Sequence, residues 1–208
     1  MNCLKKFGLK IYLILFLIFS YSITAETKKL LILGDSISAG YGIKESQNWV
    51  SILETSLNRD NFDIKIINSS VSGDTTIGGL SRIKNDLNNY SPDYVLIELG
   101  GNDALRGYPL NKIKSNLNKI IYECIEEGSI PFIMQIRIPP NYGRRYVEAF
   151  ENIYPELAEE NGLKLFSFLL QEVALEKDLM QLDGIHPNVK AQPIIANQLK
   201  DELLNVLK

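Results

Sequence analysis

The sequence predicts an α/β fold, a parallel sheet of about five strands covered by helices on both faces. Short apolar or β-branched runs at residues 30–33, 64–67, 94–99, 131–136 and 163–166 alternate with longer stretches whose apolar residues recur at helical spacing. Polar clusters containing glycine or asparagine follow the first three runs, at 34–36, 68–75 and 100–103. The composition, 45% hydrophobic and 23% charged over 208 residues, suits one domain that buries a sizeable core. Strands joined through helices at this spacing run parallel, with right-handed crossovers, so their C-terminal ends emerge on one edge.

The chain opens on a segment that reads as transport and not as fold. Lys5, Lys6 and Lys10 precede a continuously apolar run at 11–19, and Thr24-Ala25 offers a small residue before the polar Glu26. The run is shorter than the roughly 18 to 20 residues that span a bilayer, so residues 1–25 are expected to be a cleaved secretory signal peptide and 26–208 the mature domain, periplasmic or secreted. Cys3 lacks the small and apolar residues of a lipoprotein cleavage box and would leave with the signal. Cys124 then remains the only cysteine, so no internal disulfide is expected.

Four consecutive apolar residues at 30–33 read as a strand buried on both faces, ended by Gly34 as a turn residue. Trp49, Ile52, Leu53 and Leu57 have helical spacing, 64–67 is a strand, and Ile77, Leu80, Ile83 and Leu87 are helical again. The strand at 94–99 is followed by a helix at 112–127 with Cys124 on its apolar face, and the strand at 131–136 by a helix at 146–160 that ends near Gly162. A strand at 163–166 and a helix at 189–207, capped by Asn188, close the pattern. The net charge is −3 and no basic cluster lies on a helix, so nucleic acid is excluded as a partner. No repeat or linker interrupts the chain.

The polar clusters carry the chemistry. Ser36 sits where a strand turns into a helix, the position at which α/β folds place ligand crevices and at which helical amides face a developing anion. His186 is the only histidine, and it lies three residues after Asp183 in a loop containing Gly184 and Pro187. That spacing lets Asp183 accept from one ring nitrogen while the other faces a serine hydroxyl, holding the tautomer a general base needs. Ser36 can offer its main-chain N–H, Gly73 its own because no side chain obstructs approach, and Asn102 a side-chain amide, which together make three donors for an oxyanion. If His186 is the base, kcat/KM should rise with pH through one ionisation on the acid side.

Gly34-Asp35-Ser36, Gly73-Asp74, Gly100-Gly101-Asn102-Asp103 and Asp183-Gly184-Ile185-His186-Pro187 together resemble the four blocks of the SGNH (GDSL-type) hydrolases. The resemblance is closest to the exported bacterial acyl-CoA thioesterase I, lysophospholipase and arylesterase branch. It implies a flavodoxin-like three-layer α/β/α fold and no cofactor or metal. It makes Ser36 the nucleophile, His186 the base, Asp183 its orienter, and Ser36, Gly73 and Asn102 the oxyanion hole. It also implies a mobile loop at 104–109 that closes over an acyl chain, with Ile138 lining the chain's path; Leu105, in that loop, faces either the acyl chain or the core. Pro139-Pro140 departs from the single proline of that branch.

The expected function is hydrolysis of acyl esters and thioesters through an acyl-enzyme, by a monomer whose mature chain does not insert stably in a membrane. The alternative is a carbohydrate acetylesterase on the same framework, against which the apolar Leu105 and Ile138 argue. The Gly-x-Ser-x-Gly elbow of the common α/β-hydrolases is absent, since Ser38 holds the place of its second glycine. Zinc hydrolysis is disfavoured by a single histidine and no usable cysteine pair.

Overall fold

The structure, a computed structural model, describes residues 27–207, so the expected signal peptide lies outside the described residues. Five parallel strands form the sheet: β1 (Lys28–Gly34), β2 (Ile64–Asn68), β3 (Tyr94–Glu98), β4 (Ile130–Met134) and β5 (Leu165–Phe166), in the order β2-β1-β3-β4-β5. Eight helices connect or follow them: α1 (Ser36–Ala39), α2 (Trp49–Arg59), α3 (Thr76–Tyr90), α4 (Gly101–Leu105), α5 (Leu110–Glu126), α6 (Arg144–Glu151), α7 (Ile153–Asn161) and α8 (Gln192–Leu204).

The strand order fixes the layers. The chain moves from β1 outward to β2 in one direction, then crosses β1 to β3 and continues to β4 and β5 in the other. Right-handed crossovers taken in opposite directions put α2 on one face and α3, α5 and α7 on the other. The packing agrees: α2 lies against α8, while α3 packs on α5 and α5 on α7. Leu30, Leu31, Ile32 and Leu33 of β1 are fully buried between the layers, as are Val95, Leu96 and Ile97 of β3. Trp49 and the α5 stripe Ile113, Leu117, Ile120, Ile121 and Cys124 are also fully buried, so the helical spacing read from the sequence marks core.

Four expected elements differ most in extent, and one is the strand expected at 163–166, which is only Leu165–Phe166. The helix expected at 146–160 is two helices that meet at Asn152, because Pro155 lacks an N–H and its ring crowds the carbonyl of Glu151. The strand expected at 131–136 stops at Met134, with one further bond from Gln135 N to Phe166 O at 2.9 Å. The closing helix starts at Gln192, and Asn188 is not its cap. Instead the Asn188 side chain donates to the carbonyls of Asp178 and Met180 and accepts from Lys190 N, which pins the preceding loop.

In the register of β1 and β3, Gly34 lies beside Glu98, so the segments leaving both strands emerge side by side. This is the point where the strand order reverses, and in open parallel sheets it is where ligands bind.

Candidate active site

Ser36 is the first residue of α1, and Asp35 is that helix's N-cap, its Oδ1 accepting from Ile37 N at 3.0 Å. Gly40, at φ 75°, ends the helix after one turn and sends the chain back towards Tyr41. The Ser36 hydroxyl is therefore presented at the rim of the sheet by a short, capped helix.

The loop at 181–188 brings His186 to it. His186 Nε2 lies 2.8 Å from Ser36 Oγ, and Nδ1 lies 2.7 Å from Asp183 Oδ2. The other Asp183 oxygen accepts from the main-chain N–H groups of Ile185 at 2.9 Å and His186 at 3.0 Å. The amide and then the ring of His186, with the Ile185 amide, hold the Asp183 carboxyl well below its ordinary value, at about 2, so it is a carboxylate at neutral pH. An acceptor-only carboxylate requires Nδ1 to carry the proton, which leaves Nε2 as the acceptor for the serine hydroxyl. The Tyr41 ring packs on the imidazole at a centroid separation of 4.5 Å. Gln181 braces the loop by donating from its main chain to His186 O at 2.7 Å and from its side chain to Tyr41 O and Pro187 O.

The residues expected to supply oxyanion donors come from two other strand ends. Asn102 is in the first turn of α4, and its Nδ2 donates to Asp35 Oδ2 at 3.0 Å, one residue from Ser36. Gly73 adopts φ 79° in the turn that follows β2, a conformation glycine tolerates without strain. Val71 N hooks that turn to Gly34 O at 3.1 Å, and Arg106 Nη2 donates to Gly73 O at 3.1 Å. Among the described residues the main-chain N–H groups of Ser36 and Gly73 take part in no turn, loop or cap hydrogen bond with the backbone.

Charged side chains lie beneath these residues and tie their elements together. Arg82 of α3 bridges Asp74, Asp86 and Ser69, tying the 69–74 turn to the helix, with Nη2 also 3.5 Å from Gly34 O. Asp103 accepts from Thr76 N and Oγ1 and so joins α4 to the start of α3. Glu98, at the end of β3, accepts at Oε2 from Ser38 Oγ at 2.7 Å and from Asp35 N at 3.3 Å. Burial, with the Asp35 charge beside it, pushes the Glu98 carboxyl far up, and burial lifts Asp35 to about 6. Sequence reasoning assigned these two acids no role. The signal for Glu98 was present, a carboxylate closing a run of buried apolar residues.

The two residues expected to line an acyl chain differ in exposure. Leu105 ends α4 half-buried against the core, whereas Ile138 is only 7% exposed. The loop at 104–109 is held by Tyr142 Oη on Leu105 O and by Tyr146 Oη on Ala104 O and Tyr108 O. Among the described residues no group of three or more His, Cys, Asp or Glu is arranged to hold a metal ion.

Comparison with known proteins bears on this geometry. A profile of the GDSL-like Lipase/Acylhydrolase family matches residues 32–192. The chain is 46% identical over 195 residues to an arylesterase of Vibrio mimicus, covering 94% of this chain and 97% of the relative. It is 44% identical over 191 residues to the thioesterase 1/protease 1/lysophospholipase L1 of Escherichia coli K12, covering 91% and 89%. Among solved structures, the psychrotrophic esterase EstA of Pseudoalteromonas sp., inhibited by monoethylphosphonate, superposes with a TM-score of 0.85 at 39% identity over 86% of this chain and 98% of that one.

Proposed function

The chain belongs to the GDSL-like lipase/acylhydrolase (SGNH) family of enzymes, and from that premise we propose that it is an exported serine esterase that hydrolyses acyl esters and thioesters through an acyl-enzyme on Ser36. The observation that carries the reading is the unbroken relay from Asp183 through the only histidine to Ser36, with contacts of 2.7 and 2.8 Å. Ser36 Oγ attacks the acyl carbonyl while His186 Nε2 takes its proton, and Asp183 steadies the imidazolium that results. The Ser36 and Gly73 amides and the Asn102 side chain receive the oxyanion. Collapse breaks the bond to the alcohol or thiol, which leaves with the proton from Nε2. Water then attacks the acyl-serine with His186 again as base, releasing the acid.

The relatives are an arylesterase and a thioesterase/lysophospholipase, whose substrates share an acyl group on a good or amphiphilic leaving group. Leu105 is the apolar surface offered to the acyl chain; Ile138, almost wholly buried, offers little in this conformation. Export rests on the sequence of residues 1–25, and no helix among the described residues is long and apolar enough to cross a membrane.

Ser36→Ala tests the reading. It removes the attacking oxygen and little volume, so kcat/KM on p-nitrophenyl and CoA esters should fall by about 10³-fold or more. Activity within tenfold of the parent would sink the assignment. Carbethoxylation of His186 should abolish turnover in proportion to the one histidine modified, with recovery in hydroxylamine. Intact mass of the exported protein should correspond to a chain that begins at Glu26.

A further inference from the structure

The acid immediately before the proposed nucleophile is buried, charged and unused in the chemistry above. Asp35 is 5% exposed, and its two oxygens have separate partners: Oδ1 accepts from Ile37 N, and Oδ2 accepts from Asn102 Nδ2, each at 3.0 Å. We propose that Asp35 is the positioning residue for the oxyanion donor Asn102, fixing one N–H of its amide so that the other is aimed at the carbonyl oxygen of the substrate. The inference rests on Asn102 being an oxyanion donor.

The argument is one of donors and acceptors. An asparagine side chain can present either its NH₂ or its carbonyl oxygen to the substrate, and these have opposite effects on a developing oxyanion. A carboxylate accepts and cannot donate, so an ionised Asp35 allows only the NH₂ of Asn102 to face it. The amide is planar, and anchoring one of its two hydrogens sets the direction of the second. Glu98 supports this arrangement from behind. It is 4% exposed and receives Asp35 N and Ser38 Oγ on one oxygen, and its burial beside Asp35 favours the neutral acid and so a single negative charge in the pair.

The charged and titratable groups around Asp35 are Glu98 from β3, His186 from the 181–188 loop, Asp74 from the turn after β2 with its partner Arg82 of α3, and Asp103 and Tyr154 from α4 and α7. His186 favours the anion; Glu98 and Asp74 do not. The ionised form of Asp35 accepts at both oxygens and so excludes the flipped amide of Asn102, and His186 must be neutral to act as base.

Asp35→Asn separates positioning from folding. Asparagine is as good an N-cap as aspartate and has the same shape, so its oxygen can keep the Ile37 bond. Its NH₂ then meets the NH₂ of Asn102, which is driven to turn its oxygen towards the substrate. We expect kcat to fall by about 10- to 10²-fold with KM within about threefold. Asn102→Ala should lose about 10²- to 10³-fold in kcat, and adding Asp35→Asn to it should cost no more than a further threefold, because the partner is already gone.

Asp35→Ser, which also caps Ile37 but is too short to reach Asn102, serves if Asp35→Asn does not fold. Asp35→Asn at parental kcat, or full additivity in the double variant, would each overturn the inference. Parental activity in Asn102→Ala would remove the oxyanion reading itself, and this inference with it.

Discussion

Glu98 illustrates how a single side chain is held in a form its composition does not advertise. Burial and the neighbouring Asp35 charge push its carboxyl well above the ordinary range, which favours the neutral acid, and it accepts from Ser38 Oγ and Asp35 N. Glu98→Gln keeps that shape, neutrality and an acceptor, and should leave thermal stability at pH 7 within about 1 kcal/mol of the parent. Glu98→Ala strands two buried donors, each of which costs about 1–3 kcal/mol, and should unfold at clearly lower urea. Equal stabilities for the two variants would mean that Glu98 is not the neutral acceptor described. The same carboxylate explains Gly34. The sequence reading took that glycine as a turn residue, but its φ is not positive; a Cβ there would meet Glu98 Oε2 at 2.6 Å and Ser38 Cβ at 2.8 Å, so space and not conformation requires it. A contact between residues sixty-odd positions apart leaves no trace in local pattern, whereas the Asp183 to His186 spacing is local and was legible.

At the scale of elements, strands and amphipathic helices were readable because burial repeats with a fixed period, and the misreadings trace to single residues that override the period. Pro155 divides the 146–160 helix although apolar spacing runs through it, and Asn188 spends its side chain on loop carbonyls instead of a helix end. Arg82 is the element-scale contact that sequence reading missed. From α3 it reaches Asp74, Asp86 and Ser69 and approaches the carbonyl of Gly34, fastening the turn that carries Gly73 to the end of β1. The Asp74 and Asp86 side chains are 11% and 12% exposed, so removing their partner leaves two poorly solvated carboxylates. Arg82→Met should destabilise by about 3 kcal/mol or more in urea titration, and kcat should fall with it as the 69–74 turn loosens. Arg82→Lys should recover only part of either loss, since one ammonium cannot span the same set of acceptors. A methionine variant as stable as the parent would show that the clamp is ornamental.

For the whole molecule, topology was legible as parallel strands and right-handed crossovers, and the reversal of strand order between β1 and β3 then set where the strand ends meet. The same meeting point concentrates buried acids, and this predicts how stability varies with pH. Asp183, whose carboxyl is lowered to about 2, adds stability that is complete above the ordinary aspartate value and is lost only as pH falls through about 2, so it is silent at mild pH. Asp35, raised to about 6, and Glu98, raised well above its ordinary value, have the opposite sign. In the range between their unfolded and folded values the native state binds more protons than the unfolded chain, so stability falls as pH rises and recovers as pH falls. Each pH unit inside that range is worth about 1.4 kcal/mol per titrating group, and acidification from pH 8 to pH 5 takes Asp35 through about one such unit, so the fold should gain about 1.4 kcal/mol from Asp35, with Glu98 acting in the same direction, or roughly 3–5 °C in Tm for a chain of this size. Activity should move the other way over the same interval, because an ionised Asp35 and a neutral His186 are what the proposed mechanism needs. The measurement is a melting series in constant ionic strength beside a kcat/KM profile. A Tm that is flat or falling from pH 8 to pH 5 would mean that the two acids do not carry their protons as described, and an Asp35→Asn, Glu98→Gln double variant should lose the dependence while remaining folded.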